Sequence, residues 1–465
     1  MRPESDINRY LCATAHLDYG FRDKVIEDIL KAEHNATGIS QNVDLPLVIK
    51  HCLEARRRVF VRDILATTSP LIGLLIGPVL VLLGGDPLYG SLMILSSIAF
   101  SLICVLYETW RRHLILSEHF LKSNYDPNYT NFKVKAQTAR KLNLISEQQN
   151  ANVVVYSGFS PFVGAGIDLG GWSFSLNVHK GKDNLGNCLE PQSFEIRELY
   201  DCLIIAVQEL NFEGLTIEDK IFVNGKDLKE DQRLLPDPLG VPTPRVDANV
   251  IDEFKDKSTH SIRHYTCVRI TDWKGELVLS VFLRLTKTGS TFFTEANYFL
   301  LTPVAEQYRK VDSMRPSLGI KGTLKMFGVA IVKGLLLWYL SVLILLFKVG
   351  RFFYRWSERR NRQRLVEEDP NFDYGASGTL RQYVSSSQYR RYFQKLDKEM
   401  YVKTLERLIL DRIIQFLDGK NIDTSDLKDR RATILNQGVI VTGGAVQARN
   451  FAVGQTATAS SLPIP

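Results

Sequence analysis

The chain has 465 residues and a mass of 52.8 kDa, with 45% hydrophobic and 23% charged residues. These values are typical of folded proteins, and they exclude a disordered, collagen-like or disulfide-scaffold chain. The mean hydropathy of −0.08 excludes a polytopic transporter, but such an average conceals a few apolar segments within a polar chain. The net charge is +7. Which partner these cations favour depends on where they lie along the chain.

The N-terminal region has helical spacing and lacks the apolar core of a signal peptide. Apolar residues recur every three to four positions in 21–31 and 45–61, which predicts a helical cytoplasmic region over 1–62. The first eight residues mix acids and bases, so we expect no cleaved leader. The six cysteines are widely spaced and form no CxxC pair, which favours reduced thiols over a zinc knuckle or a redox pair.

Two long uncharged runs follow, at 64–83 and 88–107, and only GGDP separates them. Each run is long enough to cross a bilayer as a helix, which takes about 20 residues. The pattern predicts a transmembrane helical hairpin over 63–112. Gly73 and Gly77 form a Gly-x-x-x-Gly pair that lets a neighbouring helix approach closely. A pair of buried core helices is the less favoured alternative, because soluble helices rarely lack charge over such a length.

The flanks of the hairpin predict its orientation. Arginines precede the first run and follow the second, whereas the short loop between them contains neither Lys nor Arg. The positive-inside rule then places the N-terminus and the main soluble domain in the cytoplasm and the short loop outside. We therefore expect a multi-pass protein of the cell membrane.

The next part of the chain changes from helical to strand patterns. Residues 113–149 are polar and compatible with a helical linker. A mixed α+β cytoplasmic domain is predicted over 150–317. Its predicted strands lie at 151–157, 172–178, 215–223, 265–270, 276–285 and 292–301, and its predicted helix at 194–210. A proline-rich loop at 236–244 is either a lid or a connector.

A third apolar segment at 326–347 is interrupted by Lys333. Its core at 334–347 is short for a span, but the whole segment is long enough if the lysine reaches the interface. Full crossing would carry the C-terminal region out of the cytoplasm, although both flanks are basic. We therefore predict a membrane-associated apolar helix over 318–350 and leave its full crossing open.

A cationic segment with interleaved aromatic residues comes directly after the third apolar segment. This composition is typical of a membrane interface, where aromatics lie at headgroup depth and each cation near anionic lipid contributes about 1 kcal/mol. A topology determinant with no further role is an equal alternative, and nucleic-acid binding is not favoured because no recognised module surrounds the segment. The predicted lipid-interface residues are Lys348, Arg351, Arg355, Trp356, Arg359, Arg360, Arg362 and Arg364.

The C-terminal part combines two compositions. Residues 351–436 contain the basic juxtamembrane segment and a helical domain whose apolar stripe ends at Gly419. The tail, 437–465, consists mainly of Gly, Ala, Val and Thr, with Arg449 as its only charged residue. Low charge and high β-propensity are typical of cross-β stacking, but a flexible tail or a docked strand pair is the favoured interpretation.

Motifs for catalysis, cofactors and metals are weak. The glycine-rich stretch 158–171 resembles a dinucleotide loop, but its third glycine comes one place late and a strand follows it, so turns between two strands are favoured. The KTG triplet at 287–289 lacks the partner motifs of β-lactam-recognising enzymes and fits a hairpin turn. His260 and His264 lie four apart near a predicted strand, which separates them. We predict no catalytic residue, cofactor or metal ion.

Several stretches carry a resemblance to other proteins: RYLCATAHLD, VVVYSGFSPFVGAGIDLGGWSF, YRRYFQKLDKEMYVKTLERLILD and DTSDLKDRRATILNQGVIVTGG. The chain resembles uncharacterised multi-pass membrane proteins of actinomycete-type bacteria. This resemblance implies soluble parts arranged around a membrane hairpin and implies no activity. The tail is loosely similar to bacterial amyloid-signalling tails, which recruit proteins by templated stacking, although Val-Gln-Ala-Arg stands where their motif has a Val-Gln-Val-Gly core.

Together these patterns predict a membrane-anchored α+β protein with a transmembrane helical hairpin, a mixed α+β cytoplasmic domain and a helical C-terminal region with a β-prone tail. The favoured function is a non-enzymatic scaffold, sensor or signalling component, with an anionic bilayer and an unidentified protein as partners. One alternative is a membrane-perturbing effector, for example in defence, that forms homo-oligomers through the tail. The other is an enzyme with a site at 158–171.

Overall fold

The computed structural model describes residues 6–32, 34–83, 86–130, 132–182, 188–256, 259–317 and 319–437. The helices are α1 (Asp6–Leu17), α2 (Tyr19–Val25), α3 (Leu45–Leu82), α4 (Pro87–His119), α5 (Ala136–Gln149), α6 (Ile196–Glu209), α7 (Ala248–Asp256), α8 (Ile320–Tyr339), α9 (Ser341–Glu368), α10 (Leu380–Tyr383), α11 (Tyr392–Gly419) and α12 (Ser425–Gln437). The strands are β1 (Val153–Tyr156), β2 (Ile167–Asn177), β3 (Leu215–Asn224), β4 (Ile262–Asp272), β5 (Leu277–Thr288) and β6 (Thr291–Leu301). A π-helical turn, Ile26–Leu30, continues α2.

The described strands form one open sheet in the order β1-β3-β4-β5-β6-β2. The β1–β3 pair is parallel and the other neighbouring pairs are antiparallel. The β5–β6 hairpin turns at Gly289, whose φ of +58° lies in the left-handed region that glycine adopts without strain. The mixed α+β class predicted from the sequence is therefore confirmed.

The C-terminal helix α11 completes the main core of the sheet. Its stripe of Leu405, Ile409 and Ile413 is fully buried and joins one apolar cluster with α6 and strands β2, β4, β5 and β6. The apolar side chains that recur every three to four residues on α11 thus pack against the apolar side chains that alternate along the strands. The sheet of the predicted 150–317 domain and the helical part of the predicted 351–436 region therefore share one hydrophobic core.

The chain between α9 and α11 also returns to the sheet. Ala376 forms a parallel bridge with Tyr156 at the end of β1, and Ser385 forms an antiparallel bridge with Val304 just after β6. Both flanks of the α8–α9 segment are consequently built into the same folded body by backbone hydrogen bonds as well as by packing.

The N-terminal helices form a second core beside the sheet. It contains residues of α1, α2, α5, the first half of α3 and the last turns of α4, together with Val304, Tyr308, Leu380 and Val384 from later in the chain. The segments before and after the α3–α4 hairpin are therefore packed together in one core and do not form separate domains.

Two helices, α3 and α4, are long and apolar enough to cross a membrane. Helix α3 continues without a break from Leu45, which is buried in the N-terminal core, into the uncharged run that ends at Leu82. The predicted first span is thus the second half of a longer helix, since nothing in the preceding residues interrupts the helical hydrogen bonding.

The segment predicted as one apolar helix over 318–350 consists of two helices. The axes of α8 and α9 differ by 72° at Leu340, so the segment is either a broken span or a re-entrant pair. Neither proline nor glycine marks the break in the sequence. The Trp338 indole donates to Ser97 Oγ at 3.0 Å, and Ser341 is fully buried, so tertiary contacts hold the chain on both sides of Leu340.

Glu406 on α11 makes the stability of this core depend on pH. It is 2% exposed and lies near the buried Tyr298, and burial raises the pKa of its carboxyl from 4.5 to about 7. The folded state therefore keeps a proton that the unfolded chain loses, and the free energy of unfolding falls as the pH rises from about 4.5 to about 7. We expect Glu406→Gln to remove this fall and to stabilise the protein by about 3 kcal/mol at pH 8.

Denaturant unfolding of the detergent-solubilised full chain between pH 5 and pH 8 measures this effect. Glu399→Gln is the matched control, because Glu399 lies on the same helix with 35% of its side chain exposed. Equal pH slopes for the wild type and Glu406→Gln would contradict the expectation.

Candidate functional site

Charged side chains converge at the point where the apolar half of α3 begins. Asp63 accepts from Lys348 Nζ of α9 at 3.0 Å and forms an ion pair with its neighbour Arg62. Arg62 Nη1 lies 3.4 Å from Glu108 Oε2 of α4, and the Glu108 side chain is 5% exposed. We call these four residues the basal ion cluster. It ties α3, α4 and α9 together at one level.

The N-terminal helices also contact this cluster. Arg62 Nη1 donates to the Tyr19 hydroxyl of α2 at 3.1 Å, and Arg351 Nη2 of α9 lies 3.7 Å from Asp23 Oδ2 of α2. Because Asp63 and Arg62 are partly buried, these charges are screened less than surface pairs are. Helix α9 is therefore fastened to both α2 and α3 by its first basic residues.

The predicted lipid-interface residues divide into three groups. Lys348 and Arg351 pair with carboxylates of this protein, as described above. Arg360 stacks over the Trp356 ring at 4.0 Å, Arg362 pairs with Glu358 at 3.1 Å, and Arg364 is exposed. The side chains of Arg355 and Arg359 lie outside the described residues. Binding of lipid by this helix stays a prediction, with the exposed cations located beyond the basal ion cluster.

The glycines predicted to allow helix packing lie against α4. A Cβ atom on Gly73 would lie 3.0 Å from Ser97 Cβ, and one on Gly77 would lie 3.2 Å from the Gly90 carbonyl oxygen. Both distances are shorter than ordinary van der Waals contacts, so the close approach of α3 and α4 depends on small residues. The same turn of α4 receives Trp338 of α8, so Ser97 lies where three apolar helices meet.

A buried hydrogen-bond chain lies in the N-terminal core beneath the basal ion cluster. Arg58 Nη2 donates to His16 Nδ1 at 2.9 Å, and His16 Nε2 lies 3.3 Å from His51 Nδ1. Since a guanidinium only donates, His16 carries its proton on Nε2 and donates it to His51. Burial, with Arg58 close by, holds the pKa of His16 well below its ordinary value. Both imidazole rings are therefore neutral at pH 7.

The same histidines form a candidate metal cluster that the sequence did not predict. Ligand atoms of His16, His51 and Glu54 lie within 4.8 Å of one another. However, the Arg58 cation already occupies the other nitrogen of His16. A second cation beside it would be repelled, so a hydrogen-bond chain suits the cluster better than a metal ion. The two histidines are 35 residues apart on different helices, a separation that carries no sequence signal.

The glycine-rich stretch 158–171 packs against strands and forms no phosphate cradle. Gly164 and Gly166 have φ values of +85° and +101°, and a Cβ on Gly166 would lie 2.2 Å from the Leu300 carbonyl oxygen. Phe162 from this stretch stacks on Phe282 of β5 at 4.4 Å. Strand β2 follows directly, so the converging amides of a helix N-terminus are missing here and the turn interpretation holds.

Comparison with known proteins identifies one family match. A family model described as AbeC-like domain matches residues 171–447, which is more than half of the chain. The matched part runs from within β2 through α12 and includes α8, α9 and the basic segment. No curated protein and no solved structure matches the chain.

A double-mutant cycle tests whether the basal ion cluster fastens α9 to α3. We expect Lys348→Met and Asp63→Asn each to destabilise the detergent-solubilised full chain. Their effects should be non-additive, with a coupling energy of about 0.5–3 kcal/mol, because each change removes the same contact. Denaturant unfolding measures the coupling. Arg360→Met combined with Asp63→Asn is the control, since Arg360 rests on Trp356 of its own helix. Additive effects of Lys348→Met and Asp63→Asn would show that the pair contributes nothing.

Proposed function

The chain belongs to the AbeC-like domain family, and from that premise we propose that it is a membrane-anchored, non-enzymatic signalling component. In this proposal the soluble body senses the state of the bilayer through α3 and α9. The observation that carries it is the continuity of α3, whose first half is buried in the N-terminal core and whose second half is an apolar run. A continuous helix shared by two environments can transmit a shift in one of them to the other.

The proposed topology follows from the shared core. Segments on both sides of α8–α9 pack into one folded body, and such a body lies on one side of a membrane. We therefore infer that α8 and α9 enter and leave the bilayer on the same side as a re-entrant pair, and that only α3 and α4 cross it. The arginine-rich flanks favour the cytoplasm for the soluble body. This arrangement removes the conflict between a third crossing and its basic flanks.

The proposed input is the charge of the inner leaflet. Helix α9 exposes cations at Arg360 and Arg364, while Lys348 and Arg351 are held by Asp63 and Asp23. Anionic headgroups attract each nearby cation by about 1 kcal/mol and compete with these carboxylates. A change in lipid charge would then change how firmly α9 is fastened to α2 and α3.

The effector hypothesis depends on the tail, and residues 438–465 lie outside the described part of the chain. Oligomerisation and amyloid-like stacking through the tail therefore stay predictions. The resemblance to proteins of actinomycete-type bacteria also stays a prediction. The enzyme hypothesis also stays a prediction, although Gly166 and Gly171 of the 158–171 stretch lie close to the backbone of β6.

Cysteine accessibility tests the topology. In a Cys188→Ser background, we expect Lys321→Cys and Arg364→Cys to react with a membrane-impermeant maleimide from one side of sealed vesicles, and Asp86→Cys from the other. The physical reason is that a single folded body binds both flanks of α8–α9. Labelling of Arg364→Cys from the side that labels Asp86→Cys would refute the re-entrant arrangement.

Hydrogen exchange tests the lipid input. The full chain is reconstituted in nanodiscs of phosphatidylcholine, with or without phosphatidylglycerol. We expect anionic lipid to change amide exchange rates in α9 and α2 severalfold, and the triple variant Arg360→Gln, Arg362→Gln, Arg364→Gln to abolish this change.

The matched control removes three exposed cations of α11 and α12, with Lys403→Gln, Arg407→Gln and Arg430→Gln. It should respond like the wild type. Exchange rates in α9 that are the same in both lipid compositions would rule out the proposed input.

A further inference from the structure

A polar cavity of about 610 Å³ lies between the start of α3, the end of α5 and strands β3 and β4. Its volume is within the range of pockets that hold small molecules. Its lining is rich in carboxamides, namely Asn8, Gln41, Asn42, Gln149, Asn150 and Asn152. Carboxamides can donate to and accept from a ligand, so this lining differs from the apolar cores on either side.

Two buried cations form part of the cavity wall. Lys220 of β3 and Arg269 of β4 are 5% and 9% exposed. Both pair with the same carboxylate, since Glu218 Oε2 lies 3.1 Å from Lys220 Nζ and 3.4 Å from Arg269 Nη1. Burial and the nearby Arg269 lower the pKa of Lys220. One carboxylate, whose side chain is 46% exposed, therefore serves two buried cations.

The other acidic side chains in the wall, Asp219 and Asp44, already have hydrogen-bond or ion-pair partners within the protein. Asp219 accepts from Thr266 Oγ1 at 2.7 Å, and its oxygens lie 2.7 Å from Lys255 Nζ and 3.0 Å from His264 Nε2. Asp44 caps α3 by accepting from the Leu47 backbone N–H at 3.0 Å. Neither carboxylate forms an ion pair with Lys220 or Arg269.

The wall also presents donors that have no acceptor. Arg269 Nε and Asn42 Nδ2 are buried and find no hydrogen-bond partner within the described residues. A buried donor without an acceptor costs about 1–3 kcal/mol. An acidic group placed beside Lys220 and Arg269 would give these two cations a second anionic partner.

We propose that this cavity binds a small molecule through a phosphate or carboxylate group, with Lys220 and Arg269 as the charged contacts and the carboxamides around the rest of the ligand. Asp44 and Leu45, where α3 begins, also line the cavity. The ligand therefore contacts the first turn of the helix whose second half is the apolar run. The site stands independently of the lipid input proposed above, because its occupancy is measured directly.

Calorimetric titration of the detergent-solubilised full chain tests the site, with inorganic phosphate and succinate as probes. We expect saturable binding of at least one anion, and the stronger one identifies the acidic group of the ligand. Lys220→Met and Arg269→Met should each weaken binding at least tenfold. Lys398→Met is the matched control, because Lys398 of α11 is a buried lysine that pairs with Glu399 outside the cavity lining, and this variant should bind like the wild type.

Glu218→Gln separates a binding site from a merely structural cluster. It removes the carboxylate that competes with the ligand, so we expect severalfold tighter binding, a gain that misfolding cannot produce. The proposal is overturned if neither anion binds saturably to the wild type, or if Glu218→Gln fails to strengthen the binding that Lys220→Met weakens.

Discussion

The arrangement of this molecule depends on one topological constraint, namely that the segments before and after α8–α9 belong to the same hydrophobic core. Leu405, Ile409 and Ile413 of α11 are buried against a sheet whose strands all precede α8. A single crossing by α8–α9 would separate these surfaces by the thickness of a bilayer and leave both exposed to water. The loss of apolar burial, at about 25 cal/mol per Å² of surface, is far larger than the cost of bending a helix pair at Leu340.

The polar contacts at the base of the apolar helices complement this constraint. Lys348, Arg62, Asp63 and Glu108 alternate in charge where α3, α4 and α9 meet. Partly buried ion pairs contribute little net stability, but breaking one leaves an uncompensated charge, so such clusters define one arrangement more than they strengthen it. Their role here is to set the position of α9 relative to α3. Small residues such as Gly73 set the distance between the apolar helices.

Local patterns in the sequence predicted most of the strands and helices. The alternation of apolar and polar residues in 276–301 and the KTGS turn predicted the β5–β6 hairpin. The uncharged runs predicted the two long helices. Tertiary relations were not predictable in this way. The break at Leu340 has no proline or glycine, and the packing of α11 on the sheet joins residues far apart in the chain. The His16–His51 contact and the polar cavity likewise join residues that are far apart in the sequence and come together only in the folded protein.

The shared core also determines when, during synthesis of the chain, the soluble body can complete its folding. Helices α3 and α4 leave the ribosome long before α10 and α11, yet the N-terminal core contains Leu380 and Val384, and the sheet core contains α11. In the topology proposed above, the hairpin reaches the membrane while both cores are still incomplete, because translation must nearly finish before either core closes. During this interval the sheet exposes the apolar face that α11 will cover, which is the state most prone to aggregation. In that topology, anchoring by the hairpin would hold the nascent chain at the membrane surface throughout that interval.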